Sequence, residues 1–229
     1  MVLRHPLTLI TKETRPLHIT SGNTCLLLQD LHSPFSDPKS GWIATRVRKK
    51  ILSAEFSEYF DLLDLITKNI PQVLKACREK GLQIAFSSLG YRNDQVSDLQ
   101  QATGWSWDLD GKDGIYPISW RPINNEPIFS KPGWSATSNP EFLKFLDENG
   151  ITNVLIIGCM LDYGISQTSL DLSDMGISSL LVADAVAALT RTSQDYVSGN
   201  IAHGLIKLRT TAEVLGILER LGMEGEVLV

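Results

Sequence analysis

Short, almost entirely apolar runs that alternate with helix-like segments constrain the fold of this chain more than any other feature. The runs Thr24–Gln29, 153–157 and 178–183 are typical of strands that are buried on both faces of a parallel sheet. Apolar residues recur at helical spacing between such runs, for example over 58–80 and 140–149. Because parallel strands need crossover connections, this alternation predicts an α/β fold with a parallel sheet covered by helices on both faces.

The same alternation continues through the rest of the chain. It predicts strands over 82–88 and 127–130, the second ending at Lys131, and helices over 163–175, 193–208 and 211–221. Residues 1–22 contain two prolines and show no clear period, which favours an N-terminal extension. We therefore expect one domain over residues 23–229, with the long polar stretch 89–125 as a lid or site wall.

Composition excludes several classes of protein. With 229 residues, 43% of them hydrophobic, the chain can bury a sizeable core, so disorder is not expected. The net charge of −5 argues against nucleic acid as a partner, and no apolar run approaches the ~20 residues of a membrane span. Three cysteines without metal-ligand spacing, and no signal-peptide pattern, predict a reducing compartment, the cytoplasm.

Standard cofactor and catalytic motifs are missing from the sequence. The segment 158–164 lies between a strand and a helix but lacks G-x-G-x-x-G, and the chain contains no Walker lysine, G-x-S-x-G or H-E-x-x-H. The four histidines lie far apart, and only His32 follows a strand end. The sequence therefore predicts no cofactor and no metal site.

Polar residues at three strand ends indicate a ligand site. Asp30 and Lys131 each end a predicted strand, and the turn 158–164 precedes a helix N-terminus. Since ligands of open parallel sheets bind outside the carboxyl ends of the strands, these groups would supply an acid/base, a cation and an oxyanion site. The alternative is that Asp30 caps a turn and Lys131 is a solvated loop residue.

Three segments carry a family resemblance. The sequences LLLQDLHSPF, IFSKPGWSAT and NVLIIGCMLDYGISQTSLD resemble, in this order, the motifs of isochorismatase-like (cysteine hydrolase) proteins. The resemblance extends from about residue 23 to residue 221. It implies a three-layer α/β/α fold with a mainly parallel central sheet, a small-molecule substrate, and a homo-oligomer, either a dimer or a tetramer.

The resemblance also assigns chemistry to individual residues. Asp30 would be the general acid/base and Lys131 its charged partner. Gly164 stands where the amidase members have their nucleophilic cysteine, so no acyl-enzyme can form there, and its missing side chain is expected to leave room for substrate or attacking water. Isochorismatases resemble this chain in having glycine at that position, and they protonate a vinyl ether that water then hydrolyses. The resemblance further implies a cis peptide between Cys159 and Met160, with backbone N–H groups around Met160 and Gly164 facing the crevice.

Other residues are expected to contact the substrate, and three interpretations of function stay open. The candidates for substrate contact are His32, Phe35, Tyr91, Arg92, Trp134 and Tyr163, with Trp105 and Trp107 in a lid. Arg92 is either a clamp for a substrate carboxylate or a solvated loop residue. The leading function is hydrolysis of a small carboxylated, vinyl-ether metabolite. The alternatives are a non-catalytic binding or assembly protein and an amidase that recruits Cys159.

Overall fold

Six strands form a parallel sheet in the computed structural model, which describes residues 16–50, 54–123, 125–202 and 204–229. The strands in chain order are β1 (His18–Ile19), β2 (Thr24–Gln29), β3 (Gln83–Leu89), β4 (Ile128–Lys131), β5 (Asn153–Cys159), β6 (Ser178–Ala187), β7 (Ile206–Arg209) and β8 (Val227–Leu228). The sheet order is β4-β3-β2-β5-β6-β7, and every neighbouring pair is parallel. β1 and β8 form a separate antiparallel pair.

Helices cover both faces of this sheet. They are α1 (Ser33–Ser36), α2 (Trp42–Lys50), α3 (Ser57–Glu79), α4 (Asp98–Thr103), α5 (Pro140–Glu148), α6 (Ser166–Asp174), α7 (Arg191–Ile201) and α8 (Thr211–Glu224). One apolar core joins Leu26 and Leu28 to buried residues of α3 and α8. The other joins Leu27 to buried residues of α5, α6 and α7. The predicted three-layer α/β/α fold is confirmed.

The strand order reverses direction next to β2, and this reversal positions the site. From β2 the chain adds β3 and then β4 on one side, and it returns to add β5, β6 and β7 on the other. Neighbouring connections therefore leave β2 and β5 toward opposite faces of the sheet. Such a switch point opens a crevice at the carboxyl ends of the two strands, which here are Gln29 and Cys159.

The prediction of one helix over 193–208 is wrong. α7 ends at Ile201, and Ile206–Arg209 forms β7, which pairs with β6 at the edge of the sheet. Apolar Ile206 and Leu208 alternate with Lys207 and Arg209, and this period of two belongs to a strand with one face against the core.

The described part of the predicted N-terminal extension packs onto the domain. Leu17 and Ile19 are each 1% exposed and belong to the core beside α3 and α8. Leu17 directly precedes β1, and in an extended chain residues two apart lie on the same face. Leu17 and Ile19 therefore both face the core, while His18 between them is exposed. Residues 1–15 lie outside the described residues.

The long connection between β3 and β4 is ordered around buried aromatic side chains. It contains α4 and short 3₁₀ turns at Lys112–Gly114 and Ile118–Trp120. Trp107 and Trp120 are 3% and 4% exposed, and Trp120 Nε1 donates to Leu31 O at 3.1 Å. In the described ranges, no helix has the length and apolar character needed to cross a membrane.

Candidate active site

A buried ion pair joins Asp30 to Lys131. Lys131 Nζ donates to Asp30 Oδ2 at 2.5 Å and to Trp134 O at 2.8 Å, while Leu89 N donates to Asp30 Oδ1 at 2.6 Å. Asp30 is 4% exposed and Lys131 is fully buried. The expected convergence of the two strand ends is therefore confirmed, and burial excludes the alternative in which Lys131 is solvated.

The backbone at Asp30 turns sharply where β2 ends. Its φ of +52° lies in the left-handed region, which non-glycine residues adopt seldom and aspartate more readily than most. Asp30 N still donates to Ser87 O at 2.8 Å, so the turn begins directly at the last hydrogen bond of the β2–β3 ladder. A conformation of this kind costs about 1–3 kcal/mol and is maintained by the surrounding contacts.

Burial shifts the protonation of both members of the pair toward their neutral forms. Loss of solvent raises the pKa of Asp30 above its usual value, although the neighbouring Lys131 charge and hydrogen bonds oppose that shift. Burial also lowers the pKa of Lys131, and Asp30 opposes that shift in turn. The Asp30 carboxyl is therefore easier to protonate than a solvated aspartate, as a general acid requires.

Gly164 faces the Asp30 carboxylate from the other side of the crevice. It lies in a single π-helical turn, Leu161–Ile165, between β5 and α6. A Cβ built on Gly164 would lie 3.2 Å from Asp30 Oδ2, 2.9 Å from Trp134 O and 2.6 Å from Gln29 Nε2. A side chain at residue 164 would thus point at the acid, but it would have no room.

The carboxamide of Gln29 occupies that room, so the expectation that the missing side chain of Gly164 leaves open space is wrong. Gln29 directly precedes Asp30 and is fully buried. The strand pleat sends Gln29 to the same face as Leu27, toward α6. Sequence reasoning missed this residue, although it is the one glutamine within the buried run Thr24–Gln29 and so carried a usable signal.

The turn after β5 contains the cis peptide that the family resemblance implies. The peptide between Cys159 and Met160 is cis. Met160 O accepts hydrogen bonds from Tyr163 N and Ile165 N, both at 3.2 Å. Cys159 is fully buried, and burial together with the nearby Asp30 carboxylate raises the pKa of its thiol. The thiol is therefore held protonated, which disfavours a nucleophilic role.

Aromatic rings close the crevice above these residues. The Trp105 ring lies 5.1 Å from Trp134, 6.0 Å from Phe35 and 6.3 Å from Tyr163, between ring centroids. Trp107 packs on Phe35 at 4.9 Å. The structure thus brings together Phe35, Trp134 and Tyr163, and it adds both lid tryptophans to their cluster.

Two other predicted substrate contacts have partners elsewhere. Arg92 forms an ion pair with Asp110 in the connection between β3 and β4. Tyr91 forms a β-bridge with Asp108, and its N–H donates to Trp107 O at 2.9 Å. The structure therefore favours the interpretation of Arg92 as a loop residue over that of a carboxylate clamp.

His32 is buried as a neutral ring beneath the aromatic cluster. Its Nε2 lies 3.1 Å from Leu89 O, and its ring centroid lies 5.3 Å from that of Phe35. Burial and the Lys131 charge lower the pKa of His32 to about 3. Across the residues that the structure describes, no group of three or more His, Cys, Asp or Glu could hold a metal ion, and His5 and His203 fall outside them.

A groove of about 420 Å³ lies on the outer side of Trp105. Its lining comprises Trp42, Ile43, Arg46, Val47, Lys50, Phe56, Thr103, Gly104, Trp105 and Leu189. Its charged groups are those of Arg46 and Lys50 from α2, and the Arg46 guanidinium lies 5.6 Å from the Trp42 ring centroid. The groove is thus positively charged and aromatic, and Trp105 in its lining also contacts Trp134 and Tyr163. Sequence reasoning missed it because α2 was not predicted.

Comparison with known proteins agrees with the observed fold. The isochorismatase domain family matches residues 52–213. A cysteine hydrolase from Pseudomonas syringae pv. phaseolicola superimposes with a TM-score of 0.73 at 16% identity, over 88% of this chain and 95% of that one. An isochorismatase family protein from Desulfovibrio vulgaris gives 0.69 at 15% identity, over 88% and 100%. N-carbamoylsarcosine amidase from Thermoplasma acidophilum gives 0.60 at 19% identity, over 82% and 96%.

Proposed function

Because the chain belongs to the isochorismatase family of hydrolases, we propose that it hydrolyses a small carboxylated vinyl ether by acid/base catalysis without a cysteine nucleophile. The observation that carries this proposal is the position of Gly164. A Cβ there would lie 3.2 Å from Asp30 Oδ2, so the residue that faces the acid has no side chain with which to attack. The acid, Asp30, and its cationic partner, Lys131, are nevertheless present and in contact.

The proposed reaction begins with protonation of carbon. Protonated Asp30 gives its proton to the terminal CH₂ of the vinyl ether, and the resulting oxocarbenium ion is attacked by water. The water's proton returns to Asp30, and the hemiketal collapses to a 2-keto acid and an alcohol. The Lys131 ammonium, 2.5 Å from Asp30 Oδ2, stabilises the carboxylate that exists between the two proton transfers.

We assign recognition of a substrate carboxylate to the groove beside α2. Arg46 and Lys50 line it together with the Trp42 and Trp105 rings, whereas Arg92 is already paired with Asp110. Cations next to aromatic faces suit a ring-bearing carboxylic acid. Because Trp105 contacts Trp134 and Tyr163, a shift of its ring would connect this groove with the crevice at Asp30.

We further propose that residues 23–229 act as one catalytic domain in the cytoplasm, as a homodimer or homotetramer. The free, buried thiols of Cys25, Cys77 and Cys159 fit a reducing compartment. Light scattering of the purified chain across its concentration range tests the oligomeric state, and a mass of 25.3 kDa throughout would contradict it.

A substrate panel tests the proposed chemistry. Purified protein is offered isochorismate, simple carboxylic amides and simple esters, and release of 2-keto acid or ammonia is followed. We expect turnover of the vinyl ether alone, and a loss of about 10²–10⁴-fold in Asp30→Asn, the range for a general acid. Asp64→Asn, at an exposed carboxylate on α3, is the matched control and should keep full activity.

Each other outcome of this panel contradicts the proposal. Turnover of amides that is lost after alkylation of the cysteines would indicate the amidase that recruits Cys159. Saturable binding of the vinyl ether without turnover would indicate the binding protein. Unchanged activity in Asp30→Asn would remove Asp30 from the mechanism.

A further inference from the structure

The side chain of Gln29 has one end bound and one end free. Its Oε1 lies 3.0 Å from Thr168 Oγ1, a hydroxyl that accepts from Ala136 N and also lies 2.7 Å from Gly164 O. Its Nε2 is fully buried and has no hydrogen-bond partner among the residues that the structure describes. Buried amide nitrogens seldom lack an acceptor, so this one indicates that an acceptor comes from outside the chain.

The free end points at the crevice between Asp30 and Gly164. Nε2 lies 2.6 Å from the position that a Cβ on Gly164 would take, and the same position lies 3.2 Å from Asp30 Oδ2. The Asp30 carboxylate lies close enough to Nε2 for a hydrogen bond from the Gln29 side chain to lower the pKa of Asp30. Because Nε2 carries two N–H groups, at least one of them remains for an acceptor from outside the chain. The donor is therefore directed at the place where the proposed reaction occurs.

We propose that Gln29 replaces the side chain that residue 164 lacks and donates a hydrogen bond from Nε2 to a carboxylate or ether oxygen of the bound substrate. The identity of that oxygen rests on the proposed function, but the replacement of the side chain does not. Gln29 and Gly164 then form a matched pair, because the Gln29 carboxamide lies where a Cβ on residue 164 would be and would have to move to admit one. A nucleophilic thiol at residue 164 is compatible only with a smaller residue 29.

Thiol reactivity tests the matched pair without any turnover. Gly164→Cys alone should be poorly accommodated, since its Cβ meets Gln29 Nε2 and Trp134 O. The double variant Gln29→Ala/Gly164→Cys removes the shortest of these contacts, at 2.6 Å, and leaves a displacement of a few tenths of an ångström at Trp134 O to accommodate the thiol beside Asp30. We expect iodoacetamide to label this thiol at least tenfold faster in the double variant than in the single one, as measured by peptide mass spectrometry. The native cysteines are buried and provide the internal background.

Equal labelling of the two variants, fast or slow, would overturn the matched pair. Fast labelling of both would mean that Gln29 does not fill the space. Slow labelling of both would mean that a side chain at residue 164 does not reach the crevice. Circular dichroism melting of each variant shows whether it is folded, and limited proteolysis of the single variant gives a second measure of how well the introduced side chain is accommodated.

Kinetics of Gln29→Met test the hydrogen bond to substrate. Methionine keeps the length of the side chain and removes the donor, so kcat/KM for isochorismate should fall about 10- to 100-fold, the range for a hydrogen bond to a charged group. Gln72→Met, at an exposed position on α3, is the matched control. Unchanged kcat/KM in Gln29→Met, with wild-type turnover present, would refute the hydrogen bond and leave the proposed function standing. No turnover in wild type, with the labelling difference present, would refute the proposed function and leave the matched pair standing.

Discussion

Replacing Lys131 with methionine tests whether Lys131 restrains the rise that burial causes in the pKa of Asp30. Methionine retains much of the buried volume and removes the ammonium that lies 2.5 Å from Asp30 Oδ2. In the wild type, the Lys131 charge and hydrogen bonds oppose the effect of burial on the pKa of Asp30. Burial also lowers the pKa of Lys131, and because the two shifts act on stability in opposite directions, they partly cancel in the pH dependence of the unfolding free energy.

In Lys131→Met, the free energy of unfolding depends on pH, and the sign of this dependence follows from the pKa of Asp30. Without Lys131, burial raises the folded-state pKa of Asp30 further above its unfolded value of about 3.9. The folded state then binds one more proton than the unfolded state, so stability is lost as pH rises, by about 1.4 kcal/mol per pH unit. A limit of about 3–5 kcal/mol, typical of a broken buried pair, is reached once the folded-state pKa is exceeded.

Urea unfolding at about pH 5, 5.5, 6 and 8 measures the free energy of unfolding of the variant and of the wild type, and so the change in its pH dependence. Lys68→Met is the matched control, because Lys68 forms an exposed pair with Asp64 on α3 and its loss should cost under about 1 kcal/mol at every pH. If the unfolding free energies of Lys131→Met and wild type run parallel across these pH values, Asp30 does not take up a proton when Lys131 is removed. The reasoning about its pKa would then fail.

Three further predictions concern activity. Because the reaction needs protonated Asp30, whose pKa is raised by burial, kcat should fall as pH rises through that pKa, and a rate that is flat from about pH 5 to 9 would count against a general acid. Cys159→Ala should retain kcat within about twofold in steady-state assays, because its thiol is held protonated; a loss above about 100-fold would implicate it. Arg46→Met should raise KM about tenfold while Arg92→Met leaves it unchanged, and the reverse result would return the carboxylate clamp to Arg92.

The parts of the site that sequence reasoning predicted are those fixed by strand topology. Parallel strands end at one edge of a sheet, so Asp30 after β2 and Lys131 at the end of β4 had to lie on the same side of the molecule. Their direct contact needed more than topology. Lys131 belongs to a strand two positions from β2, and its long side chain crosses the end of β3 to reach Asp30.

The parts that it missed depend on side-chain packing or on weak periodicity. β7 has four residues, two of them charged, and so it was assigned to a helix. The sequence pattern predicts no helix over α2, a segment rich in basic residues whose Ile43, Ala44 and Val47 are buried. The partner of Arg92, Asp110, lies 18 residues away in an irregular connection, where no period relates the two.

Three strands hold the carboxyl of Asp30, and their contacts determine from which side a substrate must approach. β2 supplies the residue, β3 engages Oδ1 through Leu89 N, and β4 engages Oδ2 through Lys131 Nζ. The remaining side of the carboxyl faces Gly164 and the Gln29 carboxamide, which fill the place that a Cβ on residue 164 would take. Gln29 Nε2 borders the same space, so the acid and an unused hydrogen-bond donor face it together. A substrate that reaches Asp30 from this side must displace the Gln29 carboxamide from its place beside Gly164. It then meets a proton source and an amide donor at the position where a nucleophilic thiol would lie, and this arrangement favours hydrolysis by water over acyl transfer to the protein.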